Sequence, residues 1–335
     1  MEKLTIIGAG SWGSALARII SDNGYQTIMY DVNQDVVDEI NNFHTNKSKL
    51  PFGELNDNVC ATTDLSKAIT FGDLIVLVVP TAVIRSILKE INKVIYSPKI
   101  FVNASKGIEP DTFKRVSEIV YEEINPEFIE GFVALSGPSH AEEVILQMLT
   151  LVTSTSTNLE HAKIVQRIFS NQQYFRVYTL TDLVGVEICS SLKNIIAVAS
   201  GIIAGLGYGD NTRAALITRG LVEMKRIAVF LGADEMTIFG LAGLGDLVVT
   251  CTSTHSRNYQ AGYKIGSGKD LEQALSEMTM VVEGARSAIA AHQIIKKHGI
   301  YAPIIESVYD IIYQKQNPRE RILYLMQNDL KDEII

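Results

Sequence analysis

The sequence predicts an α/β protein: a doubly wound, mostly parallel sheet in residues 1–180, followed by an all-α second domain in residues 181–335. Three observations carry this. The apolar run Leu4-Thr5-Ile6-Ile7 enters the glycine series Gly8-Ala9-Gly10-Ser11-Trp12-Gly13, and an apolar-rich run from Ser14 to Ile20 leaves it, the pattern of strand, tight turn and helix start. Strand-like and helix-like segments then alternate as far as Tyr178, as βαβ units require. From Thr181 the strand signals mostly vanish and helical segments follow one another.

In the opening unit, Gly8 is placed to make the turn, Gly10 to let the backbone approach a diphosphate, and Gly13 to let helix pack on strand. The free N–H groups and dipole of the helix start hold the anion. Gly24 stands where the helix should stop. Thr27-Ile28-Met29-Tyr30 then runs into Asp31, where a ribose-binding acid belongs.

Further on, Gln34 to Phe43 alternates at helical spacing, and Pro51 and Gly53 mark a loop. Val59 to Thr62 reads as strand and Asp64 to Ile69 as a short helix. Leu74 to Val79 is apolar on both faces, as a central parallel strand must be, and Pro80 stops it. Ala82 to Ile91 reads as helix, Ile100 to Ala104 as strand, Asp111 to Ile124 as helix, and Phe132 to Leu135 as strand. Leu149 to Ser154, Leu159 to Phe169 and Tyr174 to Tyr178 complete the half as strand, helix and strand.

Ligands of such sheets bind just beyond the carboxyl ends of the strands. Two loops there stand out. Ser105-Lys106-Gly107 places a lysine at the mouth, which is also where a solvated loop lysine would sit. Ser136-Gly137-Pro138-Ser139 offers N–H groups and hydroxyls at a helix start, with Glu142 and Glu143 in its first turn; an ordinary capped helix looks the same.

In the second half, Asp182 can cap a long helix through Glu187, Ser190, Lys193 and Asn194 to Ala204. On a helical net Lys193 shares a face with Val186, Cys189, Ser190, Ala197 and Ser200, all small or apolar. A lysine buried there has a lowered pKa and suits proton transfer, whereas one that snorkels outward does not. Gly205 to Asp210 is a break, Thr212 to Leu231 a helix, and Gly232 its stop. Three glycines, Gly240, Gly243 and Gly245, precede Asp246, whose carboxylate among apolar neighbours needs a positive partner. Lys193 is the natural candidate. Ser256-Arg257-Asn258 opens a helix through Tyr263, and a serine cap with arginine and asparagine makes an oxyanion site. His255 beside it reads as an exposed loop residue. Val281-Val282-Glu283-Gly284 precedes a helix ending near Gly299, Pro303 starts another, and Asn317-Pro318 separates the last; Lys331-Asp332-Glu333 reads as an exposed tail.

Bulk properties narrow the class. The chain has 335 residues, 47% of them hydrophobic and 20% charged, enough for two ordinary cores. A net charge of -8 argues against a nucleic-acid surface as the main role. Cys60, Cys189 and Cys251 are scattered, and neither they nor the histidines have metal spacing, so no disulfide framework or metal site is expected. The first strand starts almost at Met1, so no signal peptide is expected, and the apolar run Ile195 to Leu206 reads as too short to span a bilayer. The expected location is cytoplasmic.

Taken together, these motifs resemble one family along nearly the whole chain: NAD(P)-dependent glycerol-3-phosphate dehydrogenase of the bacterial type. The likeness rests on Gly8 to Gly13, Ala104-Ser105-Lys106-Gly107, Ser136-Gly137-Pro138-Ser139, Leu192-Lys193-Asn194, Thr218-Arg219-Gly220-Leu221, Gly243-Leu244-Gly245-Asp246-Leu247 and Ser256-Arg257-Asn258. It implies a Rossmann-type domain before a helical one, NAD(P)H as cofactor, a phosphorylated triose as substrate, and a homodimer. By the resemblance, Ser11, Trp12, Lys106, Ala141, Arg257, Val281 and Glu283 serve the cofactor, beside Gly8, Gly10, Gly13 and Asp31, which the strand–turn–helix pattern assigns to it. Lys106, Gly137, Ser139, Lys193, Asn194, Asp246, Ser256, Arg257 and Asn258 line the substrate site, with Lys193 as the proton acceptor in oxidation and Lys106 and Asp246 beside it. One departure bears on cofactor choice. Many relatives have a small residue at Asp31 and a basic residue or His just after it, but this chain reads Tyr30-Asp31-Val32-Asn33. A carboxylate there accepts from a ribose 2′-hydroxyl and repels a 2′-phosphate, so NADH is expected to be preferred. Two other functions share parts of the pattern: a β-hydroxyacid or 6-phosphogluconate type dehydrogenase, and a dinucleotide sensor without turnover.

Overall fold

The computed structural model describes residues 2–109, 112–278 and 282–327. The first half is β1 (Lys3–Ile7), α1 (Ser11–Asp22), β2 (Gln26–Tyr30), α2 (Gln34–Phe43), β3 (Val59–Thr62), α3 (Leu65–Phe71), β4 (Leu74–Leu77), α4 (Thr81–Val94), β5 (Lys99–Asn103), α5 (Val116–Glu123), β6 (Ile129–Ser136), α6 (Ala141–Ile145), β7 (Thr150–Thr155), α7 (Leu159–Phe169) and β8 (Phe175–Leu180). The eight strands form one sheet in the order β3-β2-β1-β4-β5-β6-β7-β8. The first six run parallel, β7 pairs antiparallel with β6, and β8 follows β7 in parallel. The strand order reverses direction at β1, between β2 and β4, and it is at such a switch that a doubly wound sheet opens a crevice. The fold class is therefore the one expected from the sequence.

The glycine turn has the geometry its residues require. Gly8 sits at φ +111°, a conformation in which a side chain is strained, and its Cα faces the Val78 carbonyl. Gly13 brings α1 onto β1 so closely that an added Cβ would lie 2.1 Å from the Gly8 carbonyl oxygen. The same crowding explains why β4 ends at Leu77 and not at Val79: Val78 still donates to Ile7 O, but the chain then turns away past Gly8.

The expected helix from Asp111 starts later, at Val116. Asp111 itself lies outside the described residues. Phe113 takes a left-handed φ of 60°, and Glu109 N–H donates to Lys114 O, so the chain closes a tight turn before α5 can begin.

After Leu180 every described element is helical: α8 (Leu183–Gly205), α9 (Asp210–Phe230), α10 (Asp246–Thr252), α11 (Arg257–Gly266), α12 (Leu271–Ser276), α13 (Glu283–His298), α14 (Pro303–Tyr313) and α15 (Pro318–Met326), with a π-helical turn at Leu241–Gly245 leading into α10. α12 was not anticipated, although Asp270 and Gln273 form a reciprocal capping box at its start. The Lys331-Asp332-Glu333 tail lies outside the described residues.

The central helix is α8, capped by Asp182 accepting from Gly185 N–H. It is apolar on nearly all sides because other helices surround it, as an all-round hydrophobic helix must be. The run Ile195 to Leu206 is the end of this 23-residue helix and its C-cap; by length and composition the helix could cross a membrane, but 89% of its most apolar window is buried inside the protein.

Candidate active site

Lys193 is 3% exposed, on the turn of α8 that meets the carboxyl ends of the strands. Two buried contacts fix α8 at that height. Glu187 accepts from the backbone N–H and the hydroxyl of Ser117 at the start of α5, with Arg115 beside it. One turn on, the hydroxyls of Ser190 and Ser136 are 2.6 Å apart, tying α8 to the end of β6. On the other side of α8, Gly262 and Gly284 let α11 and α13 press onto its backbone, since a Cβ at either would collide with Val198 O or Asn194 O.

The Lys193 ammonium donates to Asp246 Oδ1 at 2.7 Å and to Thr250 Oγ1 at 2.8 Å. Asp246 opens α10, and Thr250 stands one turn along the same helix, its hydroxyl donating to Asp246 O. The second oxygen, Asp246 Oδ2, accepts from Lys106 Nζ at 3.0 Å, and Lys106 also donates to Gly137 O. One buried carboxylate thus holds two ammoniums from opposite halves of the chain. Burial pushes the Lys193 pKa down to about 8, and the like charge of Lys106 adds to this against the pull of Asp246. Burial alone would raise Asp246, but the two ammoniums together hold it below the usual carboxylate range.

A cleft opens above this triad. Its wall on the sheet side comes from Gly10, Ser11 and Trp12 of the glycine turn, from Val78 to Pro80, and from Ser105, Lys106, Ser139 and Ala141. The helical side supplies Lys193, Asn194, Asp246, Ser256, Arg257, Asn258 and Glu283. Ser256 caps α11 by accepting from Tyr259 N–H. Asn258 donates to Asn194 Oδ1 and accepts from Gly284 N–H, which ties the starts of α11 and α13 to α8. Arg257 is half-buried, and burial lowers its pKa against the favourable charges of Glu142 and Glu283. Glu283 reaches across the cleft to accept from the N–H and hydroxyl of Thr81 at the start of α4.

The residues around the glycine turn fit a dinucleotide. The α1 N-terminus has no side-chain cap and no acid in its first turn, so its N–H groups are available to an anion. A Cβ added at Gly10 would meet nothing within 4 Å, which leaves room for a phosphate against the backbone. Beside it, Trp12 Nε1 is buried with no partner among the described residues.

Several expected residues stand off the cleft surface. Gly8 and Gly13 lie behind its wall, where they shape the turn. Gly137 takes part through its carbonyl, which accepts from Lys106 and Ser139. Asp31 is at the end of β2, and its carboxylate accepts from Ala9 N–H of the glycine turn at 2.9 Å and from Asn33 N–H at 3.0 Å. Val281 lies outside the described residues. The sequence assigns no role to Thr250, Thr81 or His140, and His255 reads there as an exposed loop residue. Thr250 had a signal, its spacing of four from Asp246 on a helix; His140 and His255 had none, because only the fold brings them together.

Comparison with known proteins places the geometry in context. Residues 3–162 match the family model of the NAD-dependent glycerol-3-phosphate dehydrogenase N-terminus, and residues 182–323 match that of its C-terminus. The chain is 48% identical over 333 residues to a glycerol-3-phosphate dehydrogenase [NAD(P)+] of Staphylococcus aureus, covering 99% of this chain and 100% of that protein. Among solved structures it is similar to a glycerol-3-phosphate dehydrogenase from Coxiella burnetii, with a TM-score of 0.92 at 34% identity, covering 98% of this chain and 99% of that one. It is also similar to the Plasmodium falciparum enzyme, with a TM-score of 0.89 at 25% identity, covering 99% and 97%.

Proposed function

The chain belongs to the NAD-dependent glycerol-3-phosphate dehydrogenase family, and on that premise we propose how its residues divide the work. The reaction is the interconversion of dihydroxyacetone phosphate and sn-glycerol 3-phosphate, with NAD(P) as cofactor. The observation that carries the division of roles is the Lys106–Asp246–Lys193 triad at the base of a cleft walled by the glycine turn.

The nicotinamide, when bound, supplies the hydride. Gly10, Ser11, Trp12 and Ala141, with Gly8 and Gly13 shaping the turn, hold the cofactor, and Glu283 borders it. Arg257, the cap of Ser256 and the N–H groups at the start of α11 hold the substrate phosphate. Ser139, Gly137, Asn194 and Asn258 place the carbon chain. Negative charge that grows on the carbonyl oxygen is stabilised by Lys106 and Lys193. Lys193 delivers the proton to that oxygen in reduction and removes it in oxidation, and Asp246 and Thr250 aim its ammonium. A depressed pKa suits this exchange, because a lysine near neutrality gives and takes a proton with similar ease.

Asp31 favours NADH over NADPH. Its carboxylate, held against the glycine turn by Ala9 N–H, occupies the end of β2 where a 2′-phosphate would approach. Assembly as a homodimer, a cytoplasmic location and a role in feeding glycerophospholipid synthesis belong to the same proposal. Alternative chemistry on a β-hydroxyacid or 6-phosphogluconate, or binding without turnover, leaves the pairing of Asp246 with the Ser256-Arg257-Asn258 helix start without a purpose. The deciding experiment follows NADH absorbance on addition of dihydroxyacetone phosphate. Rapid loss of absorbance is expected; no loss with this substrate but turnover of a β-keto acid would overturn the assignment.

A further inference from the structure

His140 and His255 face each other across the mouth of the cleft. His140 follows Ser139 and caps α6 through its carbonyl, on the sheet side; His255 precedes Ser256, on the helical side. Their ring centroids are 6.1 Å apart at 55°, and both rings line the cleft that holds Lys106, Lys193 and Arg257. His140 Nε2 is buried and has no hydrogen-bond partner among the described residues. An unpartnered buried nitrogen is costly, and one in the wall of a ligand cleft is satisfied most simply by the ligand. We propose that His140 and His255 complete the phosphate clamp with Arg257, and that His140 takes up a proton from solvent as a phosphomonoester dianion binds between the two rings.

The surroundings of His140 fit such a switch. Burial lowers its pKa, as do the charges of Lys106 from the β5–α5 loop and Lys193 from α8, while Glu142 and Glu143 on its own helix oppose them. These surroundings favour the neutral imidazole before substrate arrives. A dianion placed beside it reverses the sign of the local field and favours the imidazolium. Because the two rings come from opposite halves of the chain, a shared anion also draws the halves together. The inference rests on the substrate assigned above, and its test separates the two.

The test uses the His140→Gln, His255→Gln and double variants of the full chain. Calorimetry of dihydroxyacetone phosphate binding to the enzyme with NAD+ is run at one pH in two buffers of different ionisation enthalpy. Proton uptake in the parent and its loss in the double variant are expected. In kinetics, KM for dihydroxyacetone phosphate at pH 6.5 should rise about tenfold in the double variant and less at pH 8.5, with KM for NADH unmoved. Equal proton uptake in parent and double variant, or a KM increase of the same size at both pH values, would overturn the proposal. If the parent itself fails to turn over dihydroxyacetone phosphate, the assigned reaction fails instead, and binding of inorganic phosphate with the same two-buffer comparison still decides the histidine pair.

Discussion

Lys193 and Asp246 come from helices that begin 63 residues apart and meet at 2.7 Å, each almost wholly buried. The carboxylate of the pair is also held charged by a third member, Lys106, on its far oxygen. Neither lysine could be withdrawn without leaving Asp246 with a weaker partner in a buried place.

Replacing Lys193 with Ala removes the proton carrier and leaves the glycine turn intact. Turnover should fall by about 10²–10⁴. Titration of NADH binding by fluorescence should give a Kd close to that of the parent; near-normal turnover would end the role assigned to this residue.

The direction of the pH dependence follows from the Lys193 pKa of about 8. Reduction needs the ammonium, so kcat in that direction should be level below pH 8 and decline above it. Oxidation needs the free amine, so its kcat should climb as pH rises through 8. Profiles of both directions on one preparation check the sign, and parallel profiles would contradict it.

Asp31→Ser removes the carboxylate from the end of β2 while leaving a hydroxyl to accept from Ala9 N–H. The ratio of kcat/KM for NADH to that for NADPH should be above one in the parent and drop about tenfold or more in the variant. A parent that uses NADPH as well as NADH would sink the cofactor proposal without touching the reaction.

Two stability predictions test the scaffold. Gly13→Ala puts a Cβ into the Gly8 carbonyl, backbone against backbone, and should cost more than about 2 kcal/mol or abolish soluble expression. Glu223, buried in α9, accepts from the N–H groups of Ile304 and Ile305 at the start of α14. Glu223→Ala leaves both donors without a partner and should cost about 2–4 kcal/mol in urea denaturation, with KM values unchanged.

Much of this was legible in the sequence because it depended on local pattern. The alternation of apolar runs located all eight strands, and α2 and α7 fall on Gln34–Phe43 and Leu159–Phe169 as the spacing predicts. The partnership of Lys193 with Asp246 was inferable because a buried lysine and a buried aspartate each need a counter-charge. What escaped was set by tertiary contact. The late start of α5 depends on a turn at Phe113 that no local propensity demands. The reversed pairing of β7 leaves no mark in an apolar run that reads the same in either direction. The approach of His140 to His255 joins residues 115 positions apart. Lys106 was visible as a loop lysine, but its grip on the second oxygen of Asp246 was not.

The reversal at β7 decides where the reactive amine emerges. Since β8 runs against the first six strands, the polypeptide leaves the sheet partway down, with Leu180 opposite Thr155 and Thr155 opposite Ala134. α8 must then climb back toward the strand tips, and the ten steps from Leu183 to Lys193 lift the side chain about 15 Å, at the helical rise. Height and azimuth are thereby locked to residue count. A single residue inserted between Ser190 and Lys193 would swing the ammonium, and Asn194 beside it, by about 100° away from Asp246 and Thr250.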